Sequence, residues 1–548
     1  MTEQKDGLAF LPLGGTGEIG MNLNLYRLGE SWLIVDCGIG FSGNDTPEAE
    51  VLTPDPTFIA ERRDQIAGMV ITHAHEDHLG AVAHLWTRLG CPIYATPFAA
   101  SVLRRKLGEA RLLHHVTIYT IPCGSRFEVG PFDIEFIPVA HSVPEAQALA
   151  IRTPYGTIVH TGDWKIDRTP LVGPPTDLKR LKEIGDEGVL ALVCDSTNVM
   201  SPDASRSEAE VRIGMTELMS RLEGRIAVTC FASNVARVET IAMAAQTAGR
   251  TVVLVGRSLR NLDNSARECG YLSGVLPFLS EQEVNDLPDR EVVMIITGSQ
   301  GEPRSALSRI ASDVHPNVSL GEGDTVIYSS RMIPGNELAI MQVQDNLTRR
   351  GVRVLTDKDA MVHCSGHATG EDVRMMYDLI RPEYAIPTHG EWRHLTAHAA
   401  LAQEKGIKSL LLEDGDILNL APGAVEVVDT APTGRWAVDG NRLLPMDGDV
   451  LAARRKMLFN GVVLASFAVD DEGFVIGEPK VSAPGLLDVD EPDSRRVQEE
   501  FALAIDQIPD ELRMDDHAFR EAAKTALRRA LGRKIQKRPL VDVHVLRV

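Results

Sequence analysis

Four residues with metal-binding side chains lie within six consecutive positions: His73, His75, Asp77 and His78. The apolar segment before them, residues 68–71, predicts a strand. Because alternate residues of an extended chain share a face, the first three side chains can point into one pocket, and the following turn brings His78 to the same place. These imidazole and carboxylate groups exceed what one ion needs and suit two neighbouring cations. The pattern predicts a dinuclear metal hydrolase rather than histidines that are solvated or cap a core.

Polar side chains also stand at the ends of four predicted strands before residue 200: Asp36, His141, Asp163 and Asp195. Strands and helices alternate in this region, and an α/β scaffold presents functional groups at the carboxyl ends of its strands. Each of these residues alone is more often a structural cap than a ligand. Taken with the cluster at residues 73–78, they predict one site.

A glycine pattern at residues 15–20 matches a dinucleotide-binding turn but is not followed by the helix that such a turn opens. Two alternating apolar segments follow instead, residues 21–28 and 31–35, and predict a hairpin around Gly29 and Glu30. We therefore interpret the glycines as a tight turn beside the metal pocket.

Regular repeats of strand and helix occupy residues 207–357 and predict a separate doubly wound unit. Its predicted parallel strands are 225–229, 251–255, 292–296 and 325–328, and its predicted helices are 235–248, 259–268, 305–311 and 336–349. Small polar loops follow the strands, at residues 231–234, 256–258, 298–301 and 329–331. Backbone N–H groups at such helix starts suit phosphate oxygens, although ordinary helix capping explains each loop singly. Four loops on one rim favour a phosphate-lined surface.

Residues of metal-ligand type return after this unit, at His363, His367 and His389. A site begun before Asp163 and completed beyond residue 360 implies that the middle unit interrupts the first domain. The predicted boundaries are 1–206 and 358–438 for the interrupted domain, 207–357 for the insert, 439–456 for a linker and 457–548 for a C-terminal α/β domain. In the last of these, strands are predicted at 457–469 and 540–548, and helices at 494–505 and 517–532.

The charge, apolar content and cysteine content of the chain limit the classes of function that it can have. The 548 residues carry a formal charge of −21, which argues against broad, non-specific binding of nucleic acid but leaves room for a local groove. No apolar run reaches the ~18 residues of a membrane span, and the N-terminus lacks the layout of a secretion signal. Seven cysteines without a CxxC pair favour a reducing cytoplasm.

One dense group of basic residues lies near the C-terminus: Arg528, Arg529, Arg533, Lys534, Lys537 and Arg538. A solvated helix face is the default interpretation of such a group, and contact with RNA or with a protein partner is the alternative.

The ligand pattern resembles that of the metallo-β-lactamase superfamily, in the order His73-x-His75-x-Asp77-His78, His141 and Asp163. Asp195, His367 and His389 resemble motifs A, B and C of its β-CASP group, which acts on nucleic acids. Four longer runs resemble the bacterial ribonuclease J family: residues 12–20, 231–234, 297–303 and 365–368. Ala74 departs from the glycine of many relatives, but by alternation it faces away from the ligands.

This resemblance covers nearly the whole chain and implies an α/β fold: a metallo-β-lactamase αββα sandwich, interrupted by a doubly wound β-CASP domain and followed by a small α/β domain. It implies one metal ion held by His73, His75 and His141, and a second held by Asp77, His78 and His389. Asp163 would bridge the two ions. Asp36 and Asp195 would stand behind the ligands and orient imidazoles through their free N–H groups.

For the chemistry we take His367, Asp77 and Asp195 as the catalytic candidates. His367 is the candidate general acid for the leaving 3′-oxygen, and its alternative role is to bind the scissile phosphate. Substrate binding is expected from Phe231, which could stack on a base, and from four residues that would hold a terminal phosphate or the RNA backbone: Ser233, Asn234, Ser365 and Gly366.

The resemblance implies a 5′→3′ exoribonuclease that favours 5′-monophosphorylated single-stranded RNA, with endonuclease activity as a further expectation. Two divalent cations are expected, with zinc favoured over manganese. A homodimer or homotetramer and partners in RNA degradation are expected, and a membrane is not. The alternatives are a small-molecule metallohydrolase acting on thioesters or lactones, and a catalytically silent scaffold.

Overall fold

The computed structural model describes residues 7–41, 49–333, 335–488, 491–532 and 535–548. The chain forms two compact units. The larger contains the described residues from 7 to 438 except 49 and 50, and the smaller contains those two together with the described residues from Asp439 onward.

Two sheets face each other in the larger unit. The first has eight strands in the order Glu426–Thr430, Asp416–Ala421, Leu8–Gly14, Leu23–Leu28, Ser31–Val35, Ile66–Val70, Ile93–Ala95 and Ile118–Thr120. The second has seven, in the order Arg126–Val129, Phe132–Pro138, Gln147–Thr153, Gly156–His160, Ala191–Asp195, Tyr384–Thr388 and Lys408–Ser409. Apolar side chains from both sheets form one buried core, for example Phe10 and Val70 against Phe136 and Ile386.

Helices cover the outer faces of these sheets. On the second sheet, the helices Leu178–Glu187, Gly370–Ile380 and Trp392–Glu404 close a second core around Trp164. The remaining helices of this layer arrangement are Thr57–Ala60, Glu76–Leu79, Val82–Leu89 and Pro97–Glu109. The arrangement is the expected αββα sandwich.

The hairpin predicted around Gly29 is confirmed. Leu23–Leu28 pairs antiparallel with Ser31–Val35, and Gly29 adopts a φ of 61° in the turn, a conformation that costs glycine little. Two very short strands, Thr16–Gly17 and Gly390–Glu391, pair in parallel and tie the glycine turn to the segment after His389. The glycine pattern therefore serves a turn rather than a dinucleotide site.

The insert is a six-stranded sheet whose described pairings are parallel, in the order Leu279–Ser280, Thr251–Val255, Val292–Ile296, Ile226–Thr229, Thr325–Tyr328 and Arg353–Leu355. Its helices are Glu208–Met219, Val235–Thr247, Arg257–Glu268, Ala306–Ala311 and Glu337–Arg349. The predicted strands and helices of this unit are confirmed to within two residues at each end, because buried apolar runs and capping residues mark their limits.

The smaller unit packs helices on one face of a three-stranded sheet. The strands follow the order Val475–Ser482, Val462–Val469 and Leu540–Arg547, and the helices are Asp449–Asn460, Pro492–Ile505, Asp510–Arg513 and Asp516–Gly532. Buried Phe501 and Phe519 anchor the core between helices and sheet. No helix in the described ranges is both long and apolar enough to cross a membrane.

The prediction for residues 439–469 was partly wrong. The segment assigned as a linker contains the strand Arg442–Pro445 and the beginning of the helix Asp449–Asn460, and residues 457–460 belong to that helix rather than to a strand. Gly448 precedes the helix in an extended conformation, and Gly461, with a φ of 75°, ends it. Of the basic residues, Arg528 and Arg529 are exposed on a helix, whereas Arg533 and Lys534 lie outside the described residues.

Candidate metal centre and active site

The turn that carries the ligand cluster is fixed by neighbouring backbone. The strand Ile66–Val70 ends before it, and the short helix Glu76–Leu79 begins directly after His75. The Cys37 N–H donates to the His78 carbonyl (2.7 Å), and the Ile39 N–H donates to the Glu76 carbonyl (3.0 Å). The cluster thus sits in a backbone frame built by residues distant in sequence.

Three parallel strands deliver the other candidates to the same edge. Gly156–His160, Ala191–Asp195 and Tyr384–Thr388 pair in parallel, so their carboxyl ends meet. Asp163 and His389 follow the first and third of these strands, and Asp195 ends the second. This is the position where an α/β sheet presents reactive groups.

The structure brings the predicted ligands into two groups that share one residue. Donor atoms of His73, His75, His141 and Asp163 lie within 4.8 Å of one another, and so do those of Asp77, His78, Asp163 and His389. Asp163 directs Oδ2 to the first group, 3.6 Å from His73 Nε2, and Oδ1 to the second, 3.2 Å from His78 Nε2. A third group within the same limit contains Asp163, Asp195, His367 and His389.

Unpaired buried atoms at the centre fit a pair of cations. Both carboxylate oxygens of Asp163 and the Nε2 atom of His73 are buried and find no hydrogen-bond partner among the described residues. A buried carboxylate without partners is costly, and coordination of a cation would remove that cost. Imidazole and carboxylate donors are the set that zinc and related divalent ions take.

The two groups differ in their electrostatics. Burial lowers the pKa of His75 to about 4, and it lowers those of His73 and His141 well below the usual range, so these imidazoles are neutral and available as ligands at pH 7. Burial also acts on His389, but the carboxylates of Asp163, Asp195 and Asp77 outweigh it and raise its pKa to about 10. This concentration of negative charge attracts cations, and binding of a cation would displace the imidazole proton.

Hydrogen bonds behind the ligands fix their ring orientation. Asp36 Oδ2 lies 2.7 Å from His78 Nδ1, and Asp36 Oδ1 accepts from the Thr72 N–H (2.8 Å). Asp36 adopts a φ of 66°, a strained conformation for a non-glycine residue that these bonds help to hold. His141 Nδ1–H donates to the Gly366 carbonyl (2.6 Å). The contact of Thr72 with Asp36 and the contact of the Gly366 carbonyl with His141 were not predicted from the sequence, although both residues adjoin predicted ligands.

Asp195 lies against His367. Its Oδ2 atom is 2.9 Å from His367 Nδ1, while Oδ1 accepts from the Thr197 N–H (2.8 Å). Burial lowers the pKa of His367, but the Asp195 and Asp163 carboxylates more than reverse this effect and raise it above that of free histidine. The two carboxylates therefore stabilise a proton on His367, beside both ligand groups.

The residues predicted to bind substrate are only partly brought together. Asn234, Ser365 and Gly366 line a small cavity beside His141, with a volume of about 10 Å³, enough for one water molecule. Asn234 also caps the helix Val235–Thr247, its Oδ1 accepting from the Arg237 N–H. Phe231 and Ser233 are half-buried in the turn before that helix.

A buried ion pair missed in the sequence fastens the insert to the returning segment. Arg237 is fully buried and makes a two-pronged pair with Glu208, at 2.7 and 2.9 Å. The same guanidinium donates to the Ser329 carbonyl and approaches the Cys364 sulfur. These partners are far apart in sequence, so no local pattern could have predicted the pairing.

Comparison with known proteins gives four family matches along the chain. A beta-lactamase superfamily domain matches residues 31–175, and the ribonuclease J beta-CASP domain matches 223–347. A Zn-dependent metallo-hydrolase RNA specificity domain matches 351–412, and the ribonuclease J C-terminal domain matches 449–548.

Whole-chain relatives agree with these matches. Ribonuclease J of Sinorhizobium meliloti is 43% identical, with 100% of this chain and 98% of that protein covered. Ribonuclease J of Mycolicibacterium smegmatis is 38% identical, with 99% and 98% covered. The crystal structure of an Enterococcus faecalis V583 protein of unknown function shares the fold, with a TM-score of 0.50 and 18% identity over 75% of this chain and 100% of that one. Since relatives of this similarity span its full length, the chain belongs to the ribonuclease J family of metallo-β-lactamase ribonucleases.

Proposed function

We propose that this protein hydrolyses RNA with two divalent cations, zinc in preference to manganese. His73, His75 and His141 would hold one cation, Asp77, His78 and His389 the other, and Asp163 would bridge them. The observation that carries the proposal is Asp163, whose two buried oxygens face different ligand groups and have no hydrogen-bond partner in the described part of the chain. Two cations about 3.5–4 Å apart supply a water-derived nucleophile and neutralise the charge that develops on a phosphodiester.

The side chains around the centre would handle the proton and the orientation of the substrate. His367 would donate a proton to the leaving 3′-oxygen from Nε2, since its Nδ1 faces Asp195. Asp195 would keep that imidazole protonated and aligned. The competing role for His367 is to bind the scissile phosphate, which its charge also permits.

The 5′ end of the substrate would be held beside this centre. Ser233, Asn234, Ser365 and Gly366 would bind a terminal monophosphate, and Phe231 would stack on a base. A site that fits one terminal phosphate would reject the added bulk and charge of two more phosphates, so 5′-monophosphate ends would be preferred over 5′-triphosphate ends. Release of mononucleotides in the 5′→3′ direction follows from a site that holds this end, and internal cleavage is a secondary activity.

Two further properties belong to the same proposal. A cytoplasmic location is supported by the seven cysteines, none of which forms a disulfide. Assembly as a homodimer or homotetramer and association with other RNA-degrading proteins rest on the family, and the exposed Arg528 and Arg529 remain candidates for contact with RNA or a partner.

One cleavage experiment tests the proposal. A single-stranded RNA labelled at its 3′ end is prepared with a 5′-monophosphate or a 5′-triphosphate and incubated with the protein and zinc or manganese. We expect the monophosphorylated RNA to disappear without labelled intermediates and the triphosphorylated RNA to persist. His75→Ala should abolish cleavage, whereas the control His115→Ala, at an exposed histidine, should not. Cleavage chiefly at discrete internal sites, at the same rate for both 5′ ends, would contradict the exonuclease assignment.

A further inference from the structure

The loop Asp195–Asn198 gives each of its side chains a different partner. Asp195 bonds to His367, and Ser196 Oγ lies 2.8 Å from His398 Nδ1. Asn198 accepts from Arg331 at 2.6 Å. Thr197, the remaining member, bonds to His389. The loop thus contacts two candidate functional histidines through two separate side chains.

Thr197 makes two contacts with one residue. Its Oγ1 lies 2.7 Å from His389 Nδ1 and 2.9 Å from the His389 carbonyl oxygen. A hydroxyl has one proton to donate and lone pairs to accept, and the carbonyl can only accept. The hydroxyl proton therefore goes to the carbonyl, and Oγ1 accepts from Nδ1–H.

This arrangement fixes the tautomer of His389. Nδ1 keeps its proton, so a bound cation would displace the proton on Nε2, and this nitrogen lies 3.2 Å from Asp77 Oδ2, on the side of the second ligand group. His389 has a φ of 52°, which is strained for a non-glycine residue, and the Thr197 hydroxyl holds both its ring and its carbonyl in place.

Asp195 is less suited to this task. Its Oδ1 is 3.3 Å from His389 Nδ1, farther than the Thr197 hydroxyl, and it already accepts from the Thr197 N–H at 2.8 Å. Its Oδ2 is engaged with His367. Thr197 therefore makes the closer contact with His389, whereas Asp195 bonds mainly to His367.

We infer that Thr197 is the positioning residue that orients His389 toward the second cation and sets its tautomer. The inference rests on the proposed two-cation function and adds to it a residue outside the predicted set. Removing a partner that orients a metal-bound histidine typically weakens metal affinity about 10–100-fold. The loss should fall on one of the two cations, because the hydroxyl contacts no member of the His73, His75 and His141 group in the described structure.

The test measures metal binding rather than turnover. Metal-free protein is titrated with zinc by calorimetry, with chelator competition for tight sites, and with cobalt(II) to follow the absorption of each site. Thr197→Val keeps the side-chain shape and loses the hydroxyl, and we expect it to weaken one of two sites about 10–100-fold while the other is unchanged. Thr197→Ser retains the hydroxyl and should bind both cations within about threefold of the natural protein.

The outcomes separate this inference from the proposed function. Two sites of natural affinity in Thr197→Val, or equal losses in Thr197→Val and Thr197→Ser, would overturn the role of the hydroxyl while leaving the two-cation centre in place. A larger loss in Asp195→Asn than in Thr197→Val would assign the orientation to Asp195 instead. Fewer than two sites in the natural protein would overturn both. Should Thr197→Val not fold, Thr197→Ala replaces it with the same expectation.

Discussion

Gly38 is the position where one added methyl group should disrupt the candidate centre. The segment around it runs against the short helix that carries Asp77 and His78. A Cβ atom on Gly38 would lie 1.7 Å from the Asp77 carbonyl oxygen, 2.0 Å from the Asp77 carbonyl carbon and 2.7 Å from the His78 nitrogen. These are backbone atoms, so no rotamer change relieves the overlap.

The required displacement sets the size of the effect. Cβ atoms do not approach other heavy atoms within 3.0 Å, so the Asp77 backbone must retreat by more than 1 Å. A misplacement of about 1 Å in a catalytic constellation costs roughly 100-fold in rate. We therefore expect Gly38→Ala to lose at least about 100-fold in RNA cleavage and to bind the second cation weakly.

The assay compares this variant with a matched glycine substitution. Gly108 lies in the helix Pro97–Glu109, and its added Cβ would meet no described atom within 4 Å apart from its own chain neighbours and helix backbone. Gly108→Ala should keep full cleavage and gain slightly in stability, since alanine is favoured by up to about 1 kcal/mol in helices. Cleavage of labelled RNA and bound metal are measured for both. Natural rates and two bound cations in Gly38→Ala would refute the reasoning.

Three other perturbations have definite expected outcomes. Burial and the neighbouring Glu18 raise the pKa of Asp414 to about 8, so the folded state keeps a proton that the unfolded chain releases near 3.8. The free energy of unfolding should therefore fall as pH rises between these values, by up to about 1.4 kcal/mol per pH unit. Denaturant titrations of Asp414→Asn should show a flatter dependence of this free energy on pH. The same pH dependence in Asp414→Asn and the natural protein would contradict the expectation. Arg237→Met leaves Glu208 buried without its main partner and should cost about 3–5 kcal/mol in the free energy of unfolding. Arg221→Met, which breaks the exposed pair with Glu217, should cost at most about 1 kcal/mol. Similar losses in the two variants would contradict this expectation. His367→Gln should slow RNA cleavage about 10²–10⁴-fold but spare a substrate with a nitrophenolate leaving group, which needs no proton; equal losses would mean that His367 binds phosphate instead.

The ligand positions could be predicted because their signals are local. His73, His75, Asp77 and His78 stand in one short run, and Asp163 follows a recognisable buried strand. The four inner parallel strands of the insert could be predicted equally well, since each is a largely buried run of four or five residues such as Val292–Ile296. The short edge strands Leu279–Ser280 and Arg353–Leu355 carry no such signal and were missed. The spacing of ligand residues and the runs of apolar residues can both be read from a single sequence.

Contacts between distant segments could not be predicted in this way. The Arg237–Glu208 pair, the bond from His141 to the Gly366 carbonyl and the fit of Gly38 against Asp77 each depend on how separate segments pack. The helix Asp449–Asn460 was missed for a different reason, because only one of its residues, Leu451, is buried and its apolar pattern is correspondingly weak. Tertiary packing decides all of these features.

The central claim is that two cations, shared through Asp163, make this protein a ribonuclease, and a metal titration tests it most directly. Metal-free protein receives zinc or manganese in measured equivalents while cleavage of 5′-monophosphorylated RNA is followed. We predict that cleavage is absent without metal and reaches its full rate only at two equivalents per chain. Full cleavage by the metal-free protein, or saturation at one equivalent, would contradict the account.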